Sequence, residues 1–169
     1  DNVFPGVTKS AALIGTAEKG AICVDLAASG KGGHASAPGR RQTMGTLGRA
    51  LCRVQDHAMP FTMTPPAQEM FDILGRESSF GYKVLFANLW CFRPLLNLVC
   101  RMSGGELNAL VRTTCALTMA EGSKAYNVLP SNAKARVNLR LISGDTIEQA
   151  CDRLRKIIND PNVDVRFVT

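Results

Sequence analysis

Residues 133–141 alternate without interruption, with Ala133, Ala135, Val137, Leu139 and Leu141 set against Lys134, Arg136, Asn138 and Arg140. Successive side chains of a strand point to opposite faces, so this stretch is a strand with one face in a core and a basic face outside it. A one-residue slip would turn the polar set inward, which restricts how any neighbour can pair with it.

Its partners are legible in the same terms. In residues 18–29, Ile22, Val24 and Leu26 alternate with Cys23, Asp25 and Ala27. Residues 111–119 set Val111, Thr113, Cys115, Leu117 and Met119 against Arg112, Thr114, Ala116 and Thr118, and β-branched residues suit a pleated sheet. Val163, Val165 and Phe167 make a last strand. Helices fit between them. Over residues 42–57, Met44, Leu47, Leu51 and Val54 form one stripe, and over residues 146–159 Ile147, Ala150, Cys151, Leu154, Ile157 and Ile158 share a face. Asp145 is the expected N-cap of the second helix, with Glu148 at its third helical position. The order strand, helix, strand, strand, helix, strand predicts an α+β fold, a ferredoxin-like four-stranded antiparallel sheet with two helices on one face.

A helical insertion interrupts this order at about residues 60–110. Pro60, Pro65 and Pro66 exclude a helix interior over residues 58–66. Helices are expected at 67–74, 80–90 and 95–102, with Pro94 breaking or starting an element. Phe86, Trp90, Phe92, Leu95 and Leu96 make the segment apolar on more than one side. Residues 1–16, with Pro5, Gly6 and Gly15, read as a linker holding one small strand. The opening Asp1-Asn2-Val3 is that expected of a segment within a longer polypeptide.

Composition narrows the function. The 20 Lys and Arg against 14 Asp and Glu give +6, but they are scattered and the strands carry almost no aromatics, so no nucleic-acid partner is expected. The six cysteines form no Cys-x-x-Cys pair and mostly have apolar neighbours, which favours reduced core thiols. The longest apolar run, residues 84–102, is broken by Asn88, Arg93, Pro94, Asn97 and Arg101. No membrane partner is expected on that ground, and the location is expected to be cytoplasmic.

Two stretches carry chemistry. One is Gly30-Lys31-Gly32-Gly33-His34-Ala35-Ser36-Ala37-Pro38-Gly39; the other runs Asn127-Val128-Leu129-Pro130-Ser131-Asn132 toward Arg140, Ser143, Gly144, Asp145 and Thr146. On spacing alone His34 is a solvated turn residue as readily as a functional one, Asn127 a turn former and Arg140 a surface charge. The two histidines lie 23 residues apart, with no His-x-Asp and no Glu-Glu pair, so no metal site and no cofactor are expected in this chain.

Together the Gly-Gly-His-Ala-Ser, Asn-Val-Leu-Pro-Ser and Arg-x-x-x-Gly-Asp-Thr signatures resemble the lid, or dimerisation, domain of the M20 family of zinc metallopeptidases, over residues 17–168. The middle segment is most similar to the carboxypeptidase S-like branch. The resemblance implies that residues 17–169 are a lid and dimerisation domain attached to a catalytic domain of the same polypeptide, which would hold the zinc. This segment alone would be inactive. It implies a homodimer in which His34 reaches the opposite subunit's active site and supports the oxyanion. Asn127 would then bind substrate and Arg140 would hold its carboxylate, the substrate being a peptide or an N-acyl amino acid. The competing expectation is a free-standing ferredoxin-like module for small-ligand binding or dimerisation, without catalysis.

Overall fold

The computed structural model describes Gly15 and residues 18–168, so the linker and small strand expected within residues 1–16 lie outside it, Gly15 excepted. In chain order the elements are β1 (Gly20–Ser29), β2 (Gly33–His34), α1 (Thr43–Asp56), α2 (Pro65–Arg76), α3 (Phe80–Ala87) and α4 (Leu89–Ser103). There follow α5 (Gly105–Leu110), β3 (Thr114–Glu121), β4 (Val128–Leu129), β5 (Asn132–Leu141), α6 (Ile147–Ile158) and β6 (Val163–Val168). They fall into two units, one built from Lys19–Met59 with the chain after Arg112, the other from Pro60–Arg112.

The first unit holds a four-stranded sheet in the order β3-β5-β1-β6, antiparallel throughout. The alternating segment 133–141 is its centre: β5 pairs with β1 from Gly20 opposite Leu141 to Ser29 opposite Asn132. Its apolar face, with Val24, Leu26 and Ala28 of β1, packs on Leu47, Ala50 and Val54 of α1 and on Ala150, Leu154 and Ile158 of α6. Each fully buried Leu, Ile or Val here contributes roughly 1.5–3 kcal/mol relative to exposure. This is the expected ferredoxin-like architecture.

Three local expectations are corrected. The buried stripe of α1 is Thr43, Leu47, Ala50 and Val54, with Thr46, while Met44 is 43 % exposed. Threonine can be buried this way because its methyl packs; the Thr46 hydroxyl is satisfied by Arg49 at 3.1 Å. Second, the N-cap of α6 is Thr146, not Asp145. Thr146 Oγ1 accepts from the Gln149 N–H at 3.3 Å and Gln149 Oε1 accepts from the Thr146 N–H at 3.2 Å, a reciprocal cap. Asp145 is already engaged, accepting from the Thr113 hydroxyl and, at 2.6 Å, from Arg153.

Third, Pro94 neither breaks nor starts a helix; it lies inside α4. It forfeits only the bond to the exposed Trp90 carbonyl, and Leu89, Leu96 and Cys100 anchor the helix on both sides of it. The break expected there falls at Asn88, whose side-chain amide donates to the Val84 carbonyl at 2.9 Å and closes α3. The core of this second unit gathers Phe71, Leu74, Phe86, Leu96, Cys100 and Val111, with the Phe71 and Phe86 rings stacked at 5.6 Å. Thr64 caps α2 through the Ala67 N–H, ahead of Pro65 and Pro66, whose missing N–H groups cost nothing in a first turn. Among the described residues no helix is long and apolar enough to cross a membrane.

Candidate functional site

The two motif stretches, ninety-odd residues apart, meet as a small ladder of their own. β2 pairs antiparallel with β4, placing Gly33 opposite Leu129 and His34 opposite Val128. On either side the backbone continues the zip: the Gly30 N–H donates to the Ser131 carbonyl at 2.8 Å and the Ala35 N–H to the Asn127 carbonyl at 2.9 Å. This close approach explains one glycine. A Cβ on Gly32 would stand 3.0 Å from the Leu129 carbonyl oxygen and 3.2 Å from the Ser131 nitrogen, both backbone atoms with nowhere to go.

His34 is exposed, but its ring is held. The Ser36 N–H donates to Nδ1 at 3.2 Å, and the Ser36 hydroxyl lies 2.8 Å from the same nitrogen. A nitrogen that accepts from a backbone N–H carries no proton, so the neutral ring keeps its hydrogen on Nε2. That leaves Nε2–H as an outward donor on a fixed loop. Sequence reasoning missed Ser36 in this role; the His-x-Ser spacing was its only signal. Asn127 is exposed beside this loop, its carbonyl used and its side chain turned to no partner among the described residues.

Arg140 is elsewhere. It lies near the far end of β5, opposite Ala21 of β1 and Thr114 of β3. The His34 loop leaves the sheet at the Asn132 end, eight positions away, which is about 27 Å of strand. The structure therefore unites His34 with Asn127 and separates both from Arg140.

On the open face of the sheet the other cations of β5 are already committed. Arg136 grips Asp25 bidentately, Nε to Oδ1 at 2.7 Å and Nη2 to Oδ2 at 3.1 Å, while Lys134 Nζ reaches Oδ2 at 2.7 Å. The Arg136 hydrogen bonds, with smaller help from Lys134, hold the Asp25 carboxyl down to about 2 against the opposing effect of burial. Arg140, exposed, has no carboxylate among the described residues.

The depressed Asp25 fixes a pH dependence. An unfolded aspartate titrates near 4, so the folded state's preference for the ionised form is complete above that pH and is lost as pH falls toward 2. On the order of 1–2 kcal/mol should vanish across that window, allowing for screening at the half-exposed cations. Thermal melts between pH 5 and 2 should show this loss in the wild type and a flatter profile in Asp25→Asn; parallel profiles would remove Asp25 as the cause.

Among the described residues no group of three His, Cys, Asp or Glu side chains stands close enough to hold a metal ion. The groups at hand around these two stretches are hydrogen-bond donors and an exposed guanidinium.

The family described as peptidase dimerisation domain, of the M20 group, matches residues 16–166. A probable carboxypeptidase S-like 2 of Dictyostelium discoideum is 37 % identical over 167 residues, covering 99 % of this chain and 32 % of that protein. N-fatty-acyl-amino acid synthase/hydrolase PM20D1 of Xenopus tropicalis is 36 % identical over 166 residues (98 % and 32 %). Its Homo sapiens counterpart is 32 % identical over 165 (96 % and 32 %). Among solved structures, human carnosine dipeptidase 1 aligns with a TM-score of 0.48 at 11 % identity, over 89 % of this chain and 36 % of that one. The chain spans about a third of the length of the curated relatives it matches.

Proposed function

Since the chain belongs to the M20 peptidase dimerisation domain family, we propose that it serves as the lid and dimer-forming part of an amidohydrolase acting on N-acyl amino acids, with a fatty acyl group as the favoured class. The observation that carries this reading is the β2–β4 ladder. It holds the His34 imidazole, fixed through Nδ1 by Ser36, and Asn127 on two stretches whose backbones are bonded to each other. Preorganised donors of that kind stabilise the oxyanion that develops when water attacks an amide carbonyl. Asn127 donates to the same substrate, and Arg140 takes its carboxylate, bidentately where geometry allows. The acyl preference follows the names of the relatives. The zinc and the general base belong to a catalytic part outside the described residues, and this domain alone turns nothing over.

The sheet offers a seam for the dimer. Its two edges are β3 and β6. On β3, Leu117 is 39 % and Met119 63 % exposed, and the exposed Met44 of α1 lies against Gly122 just beyond the strand. An edge with unpaired backbone and apolar side chains is a template for another strand. β6 is shorter and carries an Asp164–Arg166 ion pair. We assign the seam to β3 with α1, two copies pairing about a two-fold axis.

Arg140 supplies the direct test. In the whole enzyme, Arg140→Ala should raise KM for an N-acyl amino acid roughly tenfold to a hundredfold, as expected for loss of a charge-assisted bond, with kcat little changed. Against the matching acyl amide without a carboxylate the variant should equal wild type. Equal KM values for the acid substrate would sink the assignment.

A further inference from the structure

Helix α4 is apolar on two opposite sides, with Arg93, Asn97 and Arg101 between them along one flank. Leu89, Leu96 and Cys100 face the core of the helical unit. The opposite half carries Leu95, Leu98, Val99 and Met102 at helical spacing, bordered by Trp90, and Met102 is 80 % and Trp90 83 % exposed. An exposed stripe of this extent is a docking face rather than scatter. With 15 residues the helix is about 22 Å long, too short to span a bilayer. Whatever covers the stripe lies against its side.

Charge decides what that is. Between Glu77 and Glu106 the chain has no Asp or Glu, while Lys83, Arg93 and Arg101 are exposed. At helical spacing Arg101 falls beside Trp90 on one border of the apolar half, while Arg93 lies toward the core side, its guanidinium 5.2 Å from the Phe61 ring centroid. α3 repeats the pattern in small, with Phe80 82 % exposed, Val84 one turn on and Lys83 beside it. A second copy seated symmetrically on this face would bring the same cations together with no carboxylate from this stretch between them, which opposes it.

We propose that α4 docks side-on to an anionic lipid surface, with Leu98 and Met102 entering the acyl region, Trp90 at the interface and Arg101, with Lys83 of α3, on the headgroup phosphates. The proposal rests on neither His34 nor Arg140 and stands apart from the function proposed above. Among the described residues no helix is long and apolar enough to cross a membrane, the ground on which no membrane partner was expected, and that leaves surface contact untouched.

Trp90 is the chain's single tryptophan, so it reports directly. Adding phosphatidylcholine vesicles that contain phosphatidylserine should shift its emission to the blue and carry the protein up in flotation. Vesicles of phosphatidylcholine alone should bind several-fold less. Arg101→Glu and Lys83→Glu should each weaken binding about fivefold or more. Leu98→Glu with Met102→Glu should weaken it about a hundredfold; since both side chains are exposed, the melting temperature should hold. No emission shift with anionic vesicles would overturn the proposal. So would loss of a dimer in the Leu98, Met102 variant without any vesicle binding by wild type, which would make the face a seam between copies.

Discussion

Replacing His34 with alanine in the assembled enzyme should lower kcat about a hundredfold or more and leave KM and the melting temperature close to wild type. The magnitude is that of one oxyanion donor removed from a preorganised site. The split between kcat and KM follows because the ground-state carbonyl carries little charge and gains little from the donor. Stability should be indifferent because the ring is exposed and its neighbours, the Gly30, Ala35 and Asn127 backbone groups, are bonded without it. Ser36→Ala should fall between the two, since it removes one contact to Nδ1 but keeps the Ser36 N–H that selects the tautomer. Steady-state kinetics with an N-acyl amino acid checks all three. A kcat for His34→Ala within a few-fold of wild type would end the oxyanion role.

What could be read from the sequence divides along physical lines. The sheet was legible because alternation over β5 and β1 leaves one register that buries Val24, Leu26, Val137 and Leu139 together. Strand order followed from the element order. Local caps were less legible, because Asp145 and Thr146 are both good N-caps and the choice is made by partners distant in sequence, Thr113 and Arg153. Pro94 misled for a related reason: its cost is one bond, and tertiary anchoring on either side outweighs it. At the candidate site the residue types were visible, but the β2–β4 ladder was not. Two-residue strands have no period to detect, and only the folded chain reveals that Gly32 is hemmed in by backbone and that Ser36 sets the His34 ring. Nor could spacing show that Arg140 lies a full strand away from His34.

That separation yields the prediction with the widest reach. The scissile carbonyl and the carboxylate of an N-acyl amino acid are only a few bonds apart, whereas His34 and Arg140 of one chain stand at opposite ends of β5. If both contact one substrate, they come from two copies. Blocking the β3 edge with Leu117→Lys and Met119→Lys, which places charge on an edge built for pairing, should weaken the dimer at least about a hundredfold. Activity should then fall as far as in His34→Ala whenever light scattering reports monomer. A mixing experiment separates this from simple damage. Dimers of His34→Ala and dimers of Arg140→Ala are each impaired at both sites. After subunit exchange, half of the dimers are mixed, and in each of these one site receives an intact Arg140 from one chain and an intact His34 from the other. Measured well below KM, where both parent dimers are impaired, activity should therefore recover to about a quarter of wild type. Recovery that depends on an intact β3 edge would establish the composite site, and none at all, with exchange verified by mass, would mean that His34 and Arg140 never serve the same substrate.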